Sequence, residues 1–564
     1  MARPPDPPPD APRYGPWLFL LATAVILSVA YLLTRAILDL DAGLVPRSAE
    51  FEPNAGLISN AYDAIRNHGE FPFWNPYVDT GVPYLGDPAN YLFNPLGSVP
   101  GLILGPVNGP KIGVLLAVMC AGLSGYYLAS VLGLAWPART WAGVMLAING
   151  HLAARVFGGQ FQLAIAFPFI AFAIGFFIES LRRKSGHYPA LAGLSIALLL
   201  FSGLLYYFLY VAVGLALTFI FFAVASQSNG WNGDELWRLV RRAGAVALWA
   251  LGFSAATLIP LAQTFDFVGK DADSFLRNSQ TMPNSFLNFL ISDPTYYREA
   301  NRGMPEGFLH EFYSYIGVVP FIALPLVLLA FRPGKRLLIG LLGALFVFYL
   351  AWSSAAHSPF QYAYDAFPFL FNFRWTSRAL APATVLLIML AAIGIDELWR
   401  ILTTSRVLAF PKRRWGRRLT TPSVSLGVVL AIAMLGALAY NAQEVFDTNR
   451  GLYTLVRRRP DHPVVARWFV DNVEAPAYVW MLDGSPGISL TLAEQGILRL
   501  DPVYWKPRLD YQVEGDPPPA DQIIHPRAEY LVLTNDAPPL QADAELVAAL
   551  PGRPIYRLND SPPF

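Results

Sequence analysis

The sequence predicts a mostly α-helical, polytopic membrane bundle with a small mixed α/β domain at its carboxy end. Three observations predict it. Hydrophobic residues make up 54% of the 564 residues and charged residues only 14%, against about 25% charged in an average soluble chain. Mean hydropathy is +0.39 over the whole length. Long apolar runs recur from Trp17 to about residue 441 and then stop. The formal net charge of +1 shows no global bias toward nucleic acid, and none is expected as a partner. The single cysteine, Cys120, excludes an internal disulfide and a multi-cysteine metal site.

The elements follow in order. Residues 1–16, "MARPPDPPPDAPRYGP", are too proline-rich for a helix and read as a disordered cytoplasmic tail. The run Trp17 to Leu38 is too long for a signal-peptide core and lacks a small-residue cleavage site, so it reads as a retained first helix. A span needs about 20 apolar residues. Further candidates are 111–134, 138–157, 160–181, 188–202, 204–226, 241–262, 313–331, 336–354, 376–399 and 423–441, about eleven spans in all. The long apolar stretch 188–226 is divided at Ser202-Gly203. The segment 92–106 is apolar but broken by Pro95, Pro100 and Pro106, and reads as interfacial or re-entrant.

Orientation follows from the basic clusters. These are Arg182-Arg183-Lys184, then Arg238, Arg241 and Arg242, then Arg332, Lys335 and Arg336, then "KRRWGRR" at 412–418. With this span set and a cytoplasmic amino terminus, all of them fall on the cytoplasmic side. The membrane domain is then 17–441, with outer loops at 39–110 and 263–312. Residues 442–564 form a periplasmic α/β domain, long enough to fold as a unit. There "HPVVARWFVDN" has helical spacing, while "AYVWMLD", "EYLVLTN" and "PIYRLND" read as strands. The alanine, arginine and proline usage suggests a bacterial inner membrane.

Signatures of familiar soluble enzymes are absent: no phosphate loop, no H-E-x-x-H, no G-x-S-x-G and no zinc spacing. Chemistry is therefore sought in the outer loops. The first holds Asp39, Asp41, Glu50, Glu52, Asp63, Asp79 and Asp87, with rings at Phe71, Phe73, Trp74, Tyr77, Tyr84 and Tyr91. Prolines and glycines stiffen and turn it. Carboxylates here can take a proton from a hydroxyl, and rings can stack on a sugar; equally, rings mark the interface belt and the acids are simply solvated. Asp39 and Asp41 form an Asp-x-Asp where the first helix leaves the membrane; Asp271 and Asp273 repeat it in the second loop.

In "FPFLFNFRWTSRALAP", Arg374 and Arg378 are four apart and share a face if helical. Arginine on the outer side runs against the positive-inside rule. A pair at a helix start suits a lipid-linked phosphate, or else anionic lipid or a loop acid. His310 and Glu311 precede the eighth span and either touch substrate or pack the loop. Asn149, His151, Gln160 and Gln162 lie at span ends and are expected to face the bundle interior or a cavity. Asp396 and Glu397 are expected to pair with Arg400.

"GEFPFWNPYVDTGVP" (69–83), "YIGVVP" (315–320) and "FNFRWTSRALAP" followed by "GIDEL" (394–398) resemble, in this order, the YfhO-type bacterial membrane proteins. The resemblance covers roughly 17–441. It implies the GT-C architecture of membrane glycosyltransferases, which take a sugar from a polyprenyl-phosphate carrier on the outer face. It also implies an acid in the first outer loop as base or acceptor contact. Relatives often carry an aspartate upstream of Gly69, where this chain has Glu52. Either Glu52 serves, or Asp39 or Asp41 does, or catalysis is lost. The arginine pattern matches as it stands.

These readings combine into a GT-C type glycosyltransferase. Arg374 and Arg378 hold the carrier phosphate, one of Asp39, Asp41 and Glu52 is the base, and Trp74, Asn75, Tyr77, Asp87, His310 and Glu311 line the cavity. The partners are a polyprenyl-phosphate sugar donor, a lipid or envelope-polymer acceptor and membrane lipids. No cofactor is required; a divalent metal could be recruited by acids beside phosphate. The rivals are a flippase or transporter of a lipid-linked glycan, and a non-catalytic envelope assembly protein. A transporter needs a polar path across the bilayer, and the mid-span segments are poor in charge.

Overall fold

The computed structural model describes residues 16–48, 50–51, 54, 57–75, 82–227, 232–264, 279–293, 295–297, 310–331, 335–404, 426–457, 468–469, 471–472, 478–481, 498–500, 530–532, 544–550 and 553–558. Glu52, Tyr77, Asp271 and Asp273 lie outside these residues. The bundle is built from α1 (Pro16–Thr34), α2 (Pro95–Val131), α3 (Trp136–Ile148), α4 (Gly150–Phe157), α5 (Phe161–Ala166), α6 (Pro168–Arg182), α7 (His187–Leu200), α8 (Tyr206–Ser226), α9 (Gly233–Thr264), α10 (Arg336–Ser353), α11 (Leu380–Thr404) and α12 (Leu426–Arg450). Among the described residues, eight helical stretches are long and apolar enough to cross a membrane. The chain is a multi-pass membrane protein.

Three expected spans take other forms. The stretch 138–157 is the pair α3 and α4, broken where Asn149 turns extended and caps Leu152 N–H with its side chain. The stretch 188–202 is the shorter helix α7, and the chain turns through 201–205 before α8, at the position where the apolar run was divided. The stretch 313–331 is a short helix, Val319–Ala323, that tightens into the 3-10 segment Leu324–Ala330.

Packing explains the centre. Helix α11 is apolar on every side and its core residues, from Leu380 to Ile393, are buried throughout, as expected for a helix surrounded by others. It packs against α3, α10, α12 and the Leu324–Ala330 segment. Helix α2 starts with Asn94 capping Leu96 N–H and Pro95 in the first turn. It breaks at Gly105, whose φ of +83° suits a residue without a Cβ. The arm before the break, formed by the apolar stretch near 95–104, lies back against the second arm, with Gly101 and Gly109 in backbone contact.

Arginines at one end of the bundle donate to the last carbonyls of α2 and α6 and to the loop that follows α6. Arg182 Nη1 donates to Val131 O at 3.1 Å, Arg238 Nη1 to Leu181 O at 2.8 Å and Arg242 Nη1 to Ser185 O at 3.0 Å. Orphan carbonyls and the negative end of each helix dipole favour cations there. Two of the basic clusters thus also tie helix to helix. At that end Glu397 pairs with Arg400, as expected, whereas Asp396 accepts from Ala135 N–H at 2.6 Å and meets Lys335 at 3.4 Å.

At the opposite end, β1 (Leu44–Pro46) pairs antiparallel with β4 (Leu455–Arg457), which follows α12. Strands β2 (Trp74–Asn75) and β3 (Val82–Pro83) form a short hairpin. Near the carboxy end, β5 (Tyr478–Met481), β6 (Leu498–Leu500), β7 (Tyr530–Val532), β8 (Ala544–Leu550) and β9 (Arg553–Leu558) form a mixed sheet in the order β6-β5-β7-β9-β8. Its β6-β5-β7 part is parallel and its β7-β9-β8 part antiparallel. The stretches "AYVWMLD", "EYLVLTN" and "PIYRLND" supply β5, β7 and β9.

Candidate active site

Glu311 is the centre of a buried charge cluster. Its side chain is fully buried, as is that of Arg155. Glu311 Oε2 accepts from Arg155 Nη1 at 2.7 Å and Oε1 from Arg378 Nη2 at 2.9 Å. Gln160 Nε2 donates to Oε1 at 2.6 Å, and Ser377 Oγ to Oε2 at 3.2 Å. Arg155 Nη2 also donates to the Glu311 carbonyl at 2.9 Å. Burial alone would raise the Glu311 pKa, but Arg155, Arg378 and His310 outweigh it and hold the carboxyl well below its ordinary range.

Local structure brings these groups together. The extended residue Asn149 starts α4, placing His151 and Arg155 four apart on one face. His151 Nε2 meets Tyr207 OH at 2.7 Å and Nδ1 meets Ser314 Oγ at 3.2 Å, so the polar chain continues behind Arg155. The turn after α4 ends in Gly158 and Gly159. Gly159 has φ +71°, and a side chain there would strike the backbone of Glu50 and Phe51.

That close approach delivers a second acid. Ser48, Glu50, Phe51 and Asn54 lie along the glycine turn and are tied to it. Ser48 Oγ donates to Gly158 O at 2.6 Å and Asn54 Nδ2 to Gly159 O at 2.9 Å. Gln162 Nε2 donates to Asn54 Oδ1 at 3.0 Å, and Glu50 N–H to Ser48 Oγ at 3.1 Å. Glu50 therefore lies within electrostatic reach of Arg378, Glu311, Gln160 and Arg155. Burial pushes its pKa up and Glu311 adds to the effect; Arg378, Gln160 and Arg155 offset only part of it.

Arg374 and Arg378 do not share a helical face as expected. Trp375 between them leaves the helical region at φ −81°, ψ 76°, so α11 begins only at Leu380. Arg374 caps the 3-10 segment Pro368–Phe373, and the Trp375 carbonyl accepts from the sequence-distant Tyr210 OH at 3.4 Å. The arginines meet instead at Tyr206. Arg378 stacks its guanidinium 4.4 Å from the Tyr206 ring centre and 5.4 Å from that of Trp375. The half-buried Arg374 lies within electrostatic reach of the Tyr206 hydroxyl.

The remaining expected residues fall in three groups. His310 joins the cluster, with Nε2 3.2 Å from Gln160 Nε2 and its ring against Gly158. Asn149, His151, Gln160 and Gln162 are buried in the bundle, as polar groups at span ends should be. The aromatic loop is divided: Trp74 is 53% exposed, beside exposed Phe71 and Phe73, while Asn75 is buried. Asp87 is buried in its own turn, where it accepts from Ala89 N–H at 2.8 Å, and burial pushes its pKa up to about 6. Asp39 and Asp41 are exposed, and each accepts a backbone N–H of its own turn, from Asp41 at 2.9 Å and Gly43 at 2.8 Å.

Arg155 was not singled out in the sequence, although an arginine in the expected span 138–157 is itself a signal. Glu50 was one of several loop acids; nothing in its neighbours marks it, because its partners are distant in sequence. Among the described residues, no three acids, histidines or cysteines are grouped to hold a metal ion.

The sequence matches no family model and no curated protein. Solved structures do resemble the fold. ArnT from Cupriavidus metallidurans aligns over 96% of this chain and 97% of its own, at 14% identity and a TM-score of 0.53. The arabinofuranosyltransferase AftD from Mycobacteria aligns over 97% of this chain at 14% identity and a TM-score of 0.53. This chain spans only 40% of the length of AftD. The Archaeoglobus fulgidus oligosaccharyltransferase aligns over 85% of this chain and 64% of its own, at 15% identity and a TM-score of 0.50. The chain has a GT-C membrane fold.

Proposed function

We propose that the chain is a membrane glycosyltransferase that moves a sugar from a polyprenyl-phosphate carrier to a lipid or envelope-polymer acceptor. One observation carries this reading: in a GT-C fold, a loop carboxyl faces a buried arginine cluster. Glu50 is the base in this reading. Asp39 and Asp41 already satisfy their own turn, while Glu50 is held beside the charges a phosphate would meet. The acceptor oxygen attacks the anomeric carbon as its proton passes to Glu50. The bond from that carbon to the carrier phosphate breaks, in line and with inversion, and the leaving phosphate gains negative charge. Arg374 and Arg378 meet that charge. Glu311 keeps Arg378 charged and oriented, and Arg155 holds Glu311 in place.

The fold is shared with an arabinofuranosyltransferase and an oligosaccharyltransferase, which supports this class of reaction. The basic clusters support a cytoplasmic amino terminus in a bacterial inner membrane, with the Glu50 end facing outward. The test is transfer of radiolabelled sugar from polyprenyl-phosphate donors by the purified chain in lipid. The expected outcome is transfer by wild type, lost in Glu50→Gln and in Arg374→Ala with melting unchanged or raised. Donor binding that survives Arg374→Ala, with no transfer from any donor, would move the reading to transport or assembly.

A further inference from the structure

Helix α9 is longer than a bilayer is thick. Its 32 residues rise about 48 Å, against a hydrocarbon core of about 30 Å. Every charged residue of the helix, Asp234, Glu235, Arg238, Arg241 and Arg242, lies before Ala243. Charge is costly in hydrocarbon, so this amino end stands at headgroup level. It is the end of the bundle where the arginines gather.

One face of this end is open. Trp237, Arg241, Gly244, Leu248 and Leu251 recur at helical spacing and are exposed, Trp237 by 67% and Leu248 by 73%. A Cβ at Gly244 would meet nothing within 4 Å. The stripe thus runs from a cation, past an open gap, to apolar side chains. A phospholipid has the same order: phosphate, glycerol, acyl chain. Trp237, beside the cation, is a ring type that favours this depth.

The cations near the stripe differ in what they already hold. Arg238 Nε donates to Glu235 Oε2 at 2.9 Å, and Arg183 pairs with Glu179. Arg242 donates to the carbonyls of Ser185, at 3.0 Å, and of Lys184, which ties the loop between α6 and α7 to α9. Arg241 and Lys184 are exposed, and among the described residues neither side chain has an ionic or hydrogen-bond partner. The remaining acid, Asp234, is exposed two turns before Arg241, about 10 Å along the axis. Positive charge is therefore in surplus at the phosphate level. Among the described residues, no unpaired carboxylate of α9 or of the α6–α7 loop stands beside it to take the ammonium of a zwitterionic lipid.

We propose that this face of α9 seats an anionic glycerophospholipid. Arg241 and Lys184 meet its phosphate, and one acyl chain passes over Gly244 along Leu248 and Leu251. The seat lies at the opposite end of the bundle from Glu50 and does not depend on the sugar-transfer reading.

The test is native mass spectrometry of the full chain in mild detergent, titrated with dioleoyl phosphatidylglycerol or dioleoyl phosphatidylcholine. The expected result is tighter binding of phosphatidylglycerol by wild type. Arg241→Gln and Lys184→Gln each weaken it about fivefold, the usual worth of one basic side chain at an anionic lipid surface. Gly244→Leu fills the gap and weakens both lipids. Arg336→Gln removes one exposed cation at the same end of the bundle and leaves binding unchanged. The substituted residues are exposed, so each variant melts like wild type. Equal affinity of wild type for the two lipids overturns the proposal, as does unchanged phosphatidylglycerol binding in Arg241→Gln or in Gly244→Leu. A loss in Arg336→Gln as large as that in Arg241→Gln also overturns it, because the lipid would then respond to net charge alone. Displacement of phosphatidylglycerol by an equal concentration of glycerol phosphate overturns it as well, since the site would then take a free phosphate and not a lipid.

Discussion

Two acidic stretches lie a few residues apart in the first loop and have opposite fates. The turn 39–43 leaves Asp39 and Asp41 exposed, with each carboxylate accepting a backbone N–H two residues on. Underneath, Lys111 Nζ donates to the carbonyls of Asp39 at 2.6 Å and Asp41 at 2.8 Å, and Asn108 Nδ2 to that of Leu40 at 2.7 Å. Glu50 instead lies within electrostatic reach of two arginines and a second carboxylate. What separates the two stretches is desolvation beside fixed charge, which perturbs the proton affinity of Glu50.

The largest effect expected from this contrast is on transfer. Glu50→Gln should lower the rate by about 10²–10⁴-fold, the usual contribution of a general base. The same change should stabilise the fold at neutral pH. The folded-state pKa of Glu50 is raised, so its ionisation costs stability as pH rises from the unfolded glutamate pKa through the folded one. The melting advantage of the variant should therefore grow with pH across that window. A variant that melts like wild type at every pH would place Glu50 in solvent, like Asp39.

Glu311 should behave in the opposite way. Glu311→Gln leaves Arg155 and Arg378 buried without their counter-charge, and breaking such a pair costs about 3–5 kcal/mol. The wild-type contribution of Glu311 has the sign of a depressed carboxyl pKa. It is present above the unfolded glutamate pKa and lost as pH falls through the folded value. Denaturant midpoints of wild type and variant should then converge toward acid pH. Parallel curves would show that the pair adds nothing net to the fold.

The same contrast explains what was legible in the sequence. Spans could be read because twenty apolar residues carry their own signal. The break at 201–205 and three strands of the carboxy sheet followed from local composition, whereas the stretch 92–106, expected as an interfacial or re-entrant segment, runs into α2 across the break at Gly105. Arg378, His310 and Glu311 were found because span ends and outer arginines are unusual places for charge. The site as a constellation was not legible. Glu50 and Gln160 are 110 residues apart in the order Ser48–Gly158 brings them together, a separation fixed by one glycine turn. Trp375 breaks the helix because its carbonyl is drawn to Tyr210, a tertiary contact that outweighs local helical spacing.

A smaller effect is expected beneath the exposed turn. Lys111→Met removes donors to two carbonyls in a partly buried setting, at about 1–3 kcal/mol in total. Its charge is fully buried, so the loss of hydrogen bonds is set against relief of desolvation. Thermal melting should fall by a few degrees, while transfer by the folded fraction stays at the wild-type rate. A selective loss of transfer would tie the turn 39–43 to the chemistry.

The smallest effect is expected from Asp39→Asn with Asp41→Asn. Asparagine keeps the side-chain oxygen that each turn uses, so the double variant removes charge while leaving the two backbone hydrogen bonds. Stability should stay within about 0.5 kcal/mol of wild type, as for surface changes away from special features. Transfer should be unchanged at moderate salt, where exposed charges are screened over about 10 Å. This variant is the sharpest check on the contrast between the two stretches because it cannot lose activity by unfolding the turn. A tenfold or greater drop in transfer with normal melting would return the role of base to this Asp-x-Asp. Glu50 would then be a half-buried acid tuned by its neighbours without taking the acceptor's proton.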